Sequence, residues 1–157
     1  MGFSLRRRKP PAPATLERGE RVLAFGTASE DAYVVATDQA LHLPGGTRLP
    51  WYRFDHVRWR EGHLSIQDTD GEKYAVPLVH EGRLPEVVRE RVTSSIVVNR
   101  HVRLDERGGV RLVARRVPGA AEFTWTQVFD AGLDPEDPEV RELAAEALRL
   151  IRLRLGA

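Results

Sequence analysis

The sequence predicts an α+β fold built on antiparallel sheet, and three observations carry that prediction. Short apolar runs with period two fill the stretch from Glu20 to Pro77, separated by turn residues about every 8–12 positions. The period becomes helical at Leu84–Val92, and the chain closes on a long amphipathic run. A barrel or sandwich with a capping helix, a further three-stranded segment and a C-terminal amphipathic helix accommodates that order.

The expected strands run Arg21–Phe25, Ala32–Thr37 and Ala40–Leu43, followed by a bent stretch from Trp51 to Trp59, then His63–Gln67 and Lys73–Pro77. Pro44-Gly45-Gly46, Glu61-Gly62 and Asp70-Gly71 separate them, and Asp70-Gly71 reads as the strongest type I′ hairpin signal, because that turn needs positive φ at both central residues. In Leu84–Val92, Val87, Val88 and Val92 share a face opposite Arg89, Glu90 and Arg91, with Pro85 in the first turn, where its missing N–H is harmless. Ile96–Leu104, Val110–Arg116 and Glu122–Phe129 then form the second set of strands.

The last element is a helix entered through Asp134-Pro135-Glu136-Asp137-Pro138-Glu139, with Asp137 or Asp134 as N-cap and Arg149, Arg152 and Arg154 at its C-terminal end. Val140, Leu143, Ala144, Ala147, Leu148, Ile151 and Leu155 form its apolar arc, which is expected to pack on the sheet. Leu150 and Leu153 lie off that arc and are candidates for contact with a partner or a second copy.

A chain of 157 residues with 41% hydrophobic content has material for one full core, so one domain, with at most an appended subdomain, is expected. Arg6, Arg7, Arg8 and Lys9 supply four of the positive charges behind a formal net charge of +1, leaving the rest of the chain at −3. Prolines follow at 10, 11 and 13, and the segment reads as a disordered basic arm over residues 1–15. An acidic body argues against a nucleic-acid-binding face spread over the fold. Lys9 and Lys73 are the only lysines. The chain has no cysteine, which excludes disulfides, thiolate metal sites and cysteine nucleophiles and is compatible with a reducing cytoplasm. Pro10–Ala14 stands where the apolar core of a signal peptide belongs, and no run approaches the length of a spanning helix, so no integral membrane segment is expected.

Gly19-Glu20-Arg21-Val22-Leu23-Ala24, the turn at Ala36-Thr37-Asp38 leading into Leu41-His42-Leu43, the run Leu49 to Val57 and the helix near Leu84–Val92 together resemble the pleckstrin-homology-like (PH-like) domains of bacteria. That resemblance covers about residues 16–93. It implies a PH-like β-barrel or sandwich that binds peptides, lipids or other proteins, with residues 94–157 as an extension packed on it. The chain also resembles, over nearly its whole length, a group of actinobacterial proteins with the turn Asp130-Ala131-Gly132-Leu133-Asp134-Pro135 ahead of a terminal helix. Headgroup-binding members of the PH-like family carry cations in the loop joining the first two strands. Here that loop is Gly26-Thr27-Ala28-Ser29-Glu30-Asp31, whose acids oppose a phosphorylated headgroup.

No catalytic pattern emerges. The histidines at 42, 56, 63, 80 and 101 lack the spacing of a zinc site, so no metal is expected. Asp68-Thr69-Asp70-Gly71-Glu72 reads as a hairpin, because it lacks the remaining ligand positions of a calcium loop. Ser94 and Ser95 lack a nucleophile elbow, and Gly45-Gly46 and Gly108-Gly109 lack the spacing of a phosphate loop. Trp59 and Trp125 are assigned to the core, whereas Trp51, with Tyr52 beside it, is a candidate for a partner surface.

The expectation is therefore a cytoplasmic, non-catalytic PH-like binding or adaptor module without cofactor, engaging a protein partner or its own copy. The arm Arg6–Lys9 adds weak contact with the anionic inner face of the membrane, about 1 kcal/mol per cation. The alternative is a nucleic-acid-associated accessory protein whose arm contacts phosphates.

Overall fold

A computed structural model describes residues 12, 13 and 15–156, so the arm residues Arg6 to Lys9 lie outside the described residues. The chain is α+β, with three antiparallel sheets and two α-helices, and it divides into two compact units between residues 91 and 92.

The first unit begins with a four-stranded meander, β1 (Val22–Ser29), β2 (Ala32–Thr37), β3 (Ala40–His42) and β4 (Arg48–Pro50), paired in that order. The fourth strand was not expected: three residues, Arg-Leu-Pro, carry no alternation to read, and their pairing with Ala40–His42 defines them. The bend foreseen after Pro50 is a 3₁₀ turn, Trp51–Arg53. A second meander follows, β5 (Phe54–Arg60), β6 (His63–Asp68) and β7 (Lys73–Pro77). The 3₁₀ turn interrupts the backbone ladder between β4 and β5, and only an isolated bridge, Thr27 to His80, extends from β1 toward the segment after β7. The expected barrel is accordingly not closed among the described residues.

The two hairpins of the second meander exchange the turn chemistry that the sequence suggests. Glu61-Gly62 joins β5 to β6 as a two-residue loop with φ of 50° and 75°, the type I′ signature, and Glu61 is the only non-glycine residue at positive φ among the described residues. At Asp68–Glu72 only Gly71 is left-handed, with φ of 86°. Its N–H donates to the Asp68 carbonyl at 3.0 Å and the Asp68 N–H to the Glu72 carbonyl at 2.9 Å, which makes a three-residue loop ending in a glycine bulge. Asp68 stabilises it by accepting the N–H groups of Asp70 and Glu72 on Oδ1 at 2.9 Å each. A carboxylate that caps the loop replaces the positive φ that the dipeptide seemed to require of Asp70.

Alternation then sets the core. Leu64, Ile66 and Val76 face inward from the second meander, Leu41, Leu49 and Val34 are buried in the first, and α1 (Leu84–Ser94) buries Leu84, Val87 and Val88. Gly26 lets β1 approach α1 and the chain after β7, since a Cβ there would lie 3.0 Å from both the His80 carbonyl oxygen and a Leu84 methyl.

The second unit consists of β8 (Ile96–Asp105), β9 (Gly108–Arg116) and β10 (Phe123–Phe129), in the order β10-β9-β8, with α2 (Pro138–Leu155) on one face. Val110, Leu112, Ala144 and Ala147 make its buried centre, flanked by Val102, Trp125, Phe129 and Ile151. Asp137 is the N-cap, accepting the Glu139 N–H at 3.0 Å, and Gly156 ends the helix at φ 68°. Leu143 and Leu155, assigned to the apolar arc, are 36% and 50% exposed, because the sheet beneath is only three strands wide and takes the narrower stripe through Val140, Ala144 and Ala147.

Candidate functional site

The residues singled out from sequence separate in the fold. Trp51 is 5% exposed, so it is corrected from surface to core: its Nε1–H donates to the Thr37 carbonyl at 3.0 Å and its ring lies 5.2 Å from that of Phe54. An indole that must place its N–H on a carbonyl while covering an aromatic neighbour is a core group, and it tethers the first meander to the start of the second. Tyr52 is half-buried on the same turn. Leu150 and Leu153, at 49% and 65% exposure, are on the outside of α2 as expected. Trp59 and Trp125 are half-buried, the latter against the α2 cluster.

Two constellations in the first unit were not foreseen. The first is a buried polar network at the entry to β1. Glu20, 8% exposed, accepts the Thr37 hydroxyl at 2.5 Å, pairs with His42 Nε2 at 2.7 Å through Oε1, and accepts the Glu17 N–H at 2.8 Å through Oε2. Arg48 Nε lies 3.5 Å from Oε2 without an aligned hydrogen bond. On the other side of the 2% exposed imidazole, Nδ1 lies 2.6 Å from the Thr15 hydroxyl. Nε2 faces the carboxylate as a donor, while Nδ1 and the Thr15 hydroxyl pair with each other. Burial pushes the Glu20 carboxyl up, but hydrogen bonds from Thr37, the Glu17 N–H and His42, with the charge on His42, together hold it below its ordinary value. Hydroxyl, imidazole and carboxylate follow one another as in a base relay, yet one carboxylate also serves Thr37, Glu17 and Arg48. The arrangement locks the chain at Thr15 onto β3 and leaves the ring no exposed face from which to act.

The second constellation is the outer face of β5–β7. Strict alternation turns His56, Arg58 and Arg60 outward on β5, and register aligns them with Gln67, Ser65 and His63 on β6 and with Lys73, Ala75 and Pro77 on β7. The small residues Ser65 and Ala75 form the floor of an open depression of about 600 Å³, with His56, Arg58, Gln67 and Lys73 around it. Among the described residues Arg58, Arg60 and Lys73 have no ion-pair partner, and the one carboxylate recorded against this face is Asp55, 3.8 Å from His56 Nε2. The neighbouring acids are engaged elsewhere: Asp70 pairs with Arg53 at 2.6 Å, and Asp68, 1% exposed, lies 3.4 Å from the same guanidinium and 3.4 Å from the Tyr74 hydroxyl. Burial, followed by the Asp68 charge, raises the Tyr74 hydroxyl above its ordinary value, so it stays a neutral donor to that carboxylate. The signal in the sequence was the alternation His56-x-Arg58-x-Arg60, which strand register extends to Lys73.

His101 and His80 make contacts within their own units. His101 Nε2 meets Asp130 Oδ2 at 2.9 Å in the second unit, where the same oxygen accepts the Gly109 N–H at 2.8 Å. His80 bridges to Thr27 through its backbone. No group of three or more metal-ligating side chains converges among the described residues, and no helix there is long and apolar enough to cross a membrane.

Comparison with family models, curated proteins and solved structures finds no match to this chain.

Proposed function

We propose that this chain is a non-catalytic binding module of the PH-like kind, which holds a protein partner at the cytoplasmic side of the membrane while Arg6–Lys9 bias it toward the anionic surface. What carries the reading is the open cationic face of β5–β7, a concave solvent-facing surface whose Arg58, Arg60 and Lys73 have no ion pairs within the chain among the described residues. The order of elements supports the PH-like assignment: a meander of four strands, a second of three, and a helix with its apolar side buried. Glu30 and Asp31 on the β1–β2 turn direct anionic ligands away from that loop and toward the face on the second meander.

The test compares tagged full-length protein with a chain beginning at Pro13, in host extract and with anionic vesicles. A binding module gives the same stoichiometric partner with both, and cosedimentation with vesicles at low salt only for the full-length chain. Loss of every partner from both refutes the reading. Salt-sensitive, length-independent DNA binding that disappears with Arg6–Lys9 supports the nucleic-acid alternative instead.

A further inference from the structure

Resting on that reading, we infer that the β5–β7 depression is the partner site and that its ligand is an acidic, extended polypeptide segment. Arg58 and Lys73 stand on opposite strands of the sheet with the Ser65–Ala75 floor between them, and His56 and Gln67 complete the nearer wall. A backbone lying over the floor would present carboxylates to a guanidinium on one side and an ammonium on the other. Arg58 offers a planar fork suited to a carboxylate, and Lys73 a mobile point charge.

The shape and the lining select this occupant. A volume of about 600 Å³ sunk below long side chains admits a chain, whereas a bilayer surface meets only the rim. None of the exposed large hydrophobic residues lies on this face, so it lacks the apolar anchor of a tight globular interface. Charge complementarity is the attraction that remains, and Asp55 beside His56 marks the end of the site where a further carboxylate is unwelcome.

The experiment uses the full-length chain and a fluorescein-labelled oligoglutamate peptide at low ionic strength, with oligolysine as the sign control. The double variant Arg58→Glu/Lys73→Glu is expected to weaken oligoglutamate binding about tenfold or more, since each reversal removes one exposed attraction and adds one repulsion. Arg83→Glu/Arg89→Glu, with the same change in net charge at exposed positions, one in the turn before α1 and one on it, is expected to change it less than about threefold. Equal losses in the two variants, or no binding by the parent chain, overturn the site. Vesicles of phosphatidylglycerol and phosphatidylcholine supply the other source of anions: a loss confined to vesicle binding in the first variant also overturns it. Retention of the native partner by Arg58→Glu/Lys73→Glu would sink this site while leaving the binding-module reading in place.

Discussion

Glu20→Ala removes the acceptor that organises the entry to β1. It leaves His42 Nε2 and the Glu17 N–H without their acceptor and the Thr37 hydroxyl with only the Ala40 carbonyl at 3.1 Å, in a region where Thr37 is fully buried and His42 is 2% exposed. Removing one partner of a buried charged network costs about 3–5 kcal/mol, mostly because the groups left behind are neither solvated nor paired. For a unit of this size each kcal/mol moves the midpoint by roughly 4–8 °C, so a fall of at least about 12 °C is expected. The Trp51 indole proton, hydrogen-bonded to the Thr37 carbonyl, reports the transition of this unit by NMR. Glu20→Gln retains an acceptor for Thr37 and His42 and should cost about 1–2 kcal/mol. Because the folded carboxyl is held below 4.5, its contribution is fully present above that pH and is lost as pH falls through the folded value. The gap between wild type and Glu20→Gln therefore narrows as the pH falls below about 4.5. A Glu20→Ala midpoint within about 4 °C of wild type, or a gap that widens on acidification, would refute the network as a buried, ionised assembly.

Other substitutions probe features of the backbone and surface. Glu61→Asn, at a φ of 50°, relieves left-handed strain in a type I′ turn and should stabilise the first unit by about 1 kcal/mol in thermal unfolding. Gly109→Ala puts a methyl group against the Val102 carbonyl and 2.9 Å from Arg103 Cα, so the β8–β9 register must yield; urea unfolding should show a loss of about 3 kcal/mol. Leu150→Glu and Leu153→Glu, on the outer side of α2, should each leave stability within about 0.5 kcal/mol; a larger loss would mean that this side is covered.

Where local chemistry sufficed, the reading from residues matched the fold. Ala32–Thr37 and Lys73–Pro77 have the expected limits because alternation and flanking turn residues agree there, and of the two cap candidates, Asp134 and Asp137, it is Asp137 that caps α2, with Pro138 at the first helical position. The failures are non-local. Arg48–Pro50 is a strand only by virtue of its partner, and Trp51 is held inward by its bond to the Thr37 carbonyl, fourteen positions away. Asp70 is spared positive φ by a side chain two residues earlier, which dipeptide statistics do not contain. The Glu20–His42–Thr15 network joins residues separated by 22 and 27 positions, and the pairing of β1 with β2 and of β2 with β3 brings them together. The cationic face was half visible, as His56, Arg58 and Arg60 at every second residue; Lys73 joins them through a register that no single strand encodes.

The scarcity of lysine turns the depression into its own reporter. Lys73 carries the only side-chain amine among the described residues, so an acylating reagent reads occupancy there without any engineered label. Shielding of that one amine by a bound chain would appear as a missing mass increment on a single peptide, and a zero-length carbodiimide coupling would weld the amine to whichever carboxylate the partner brings.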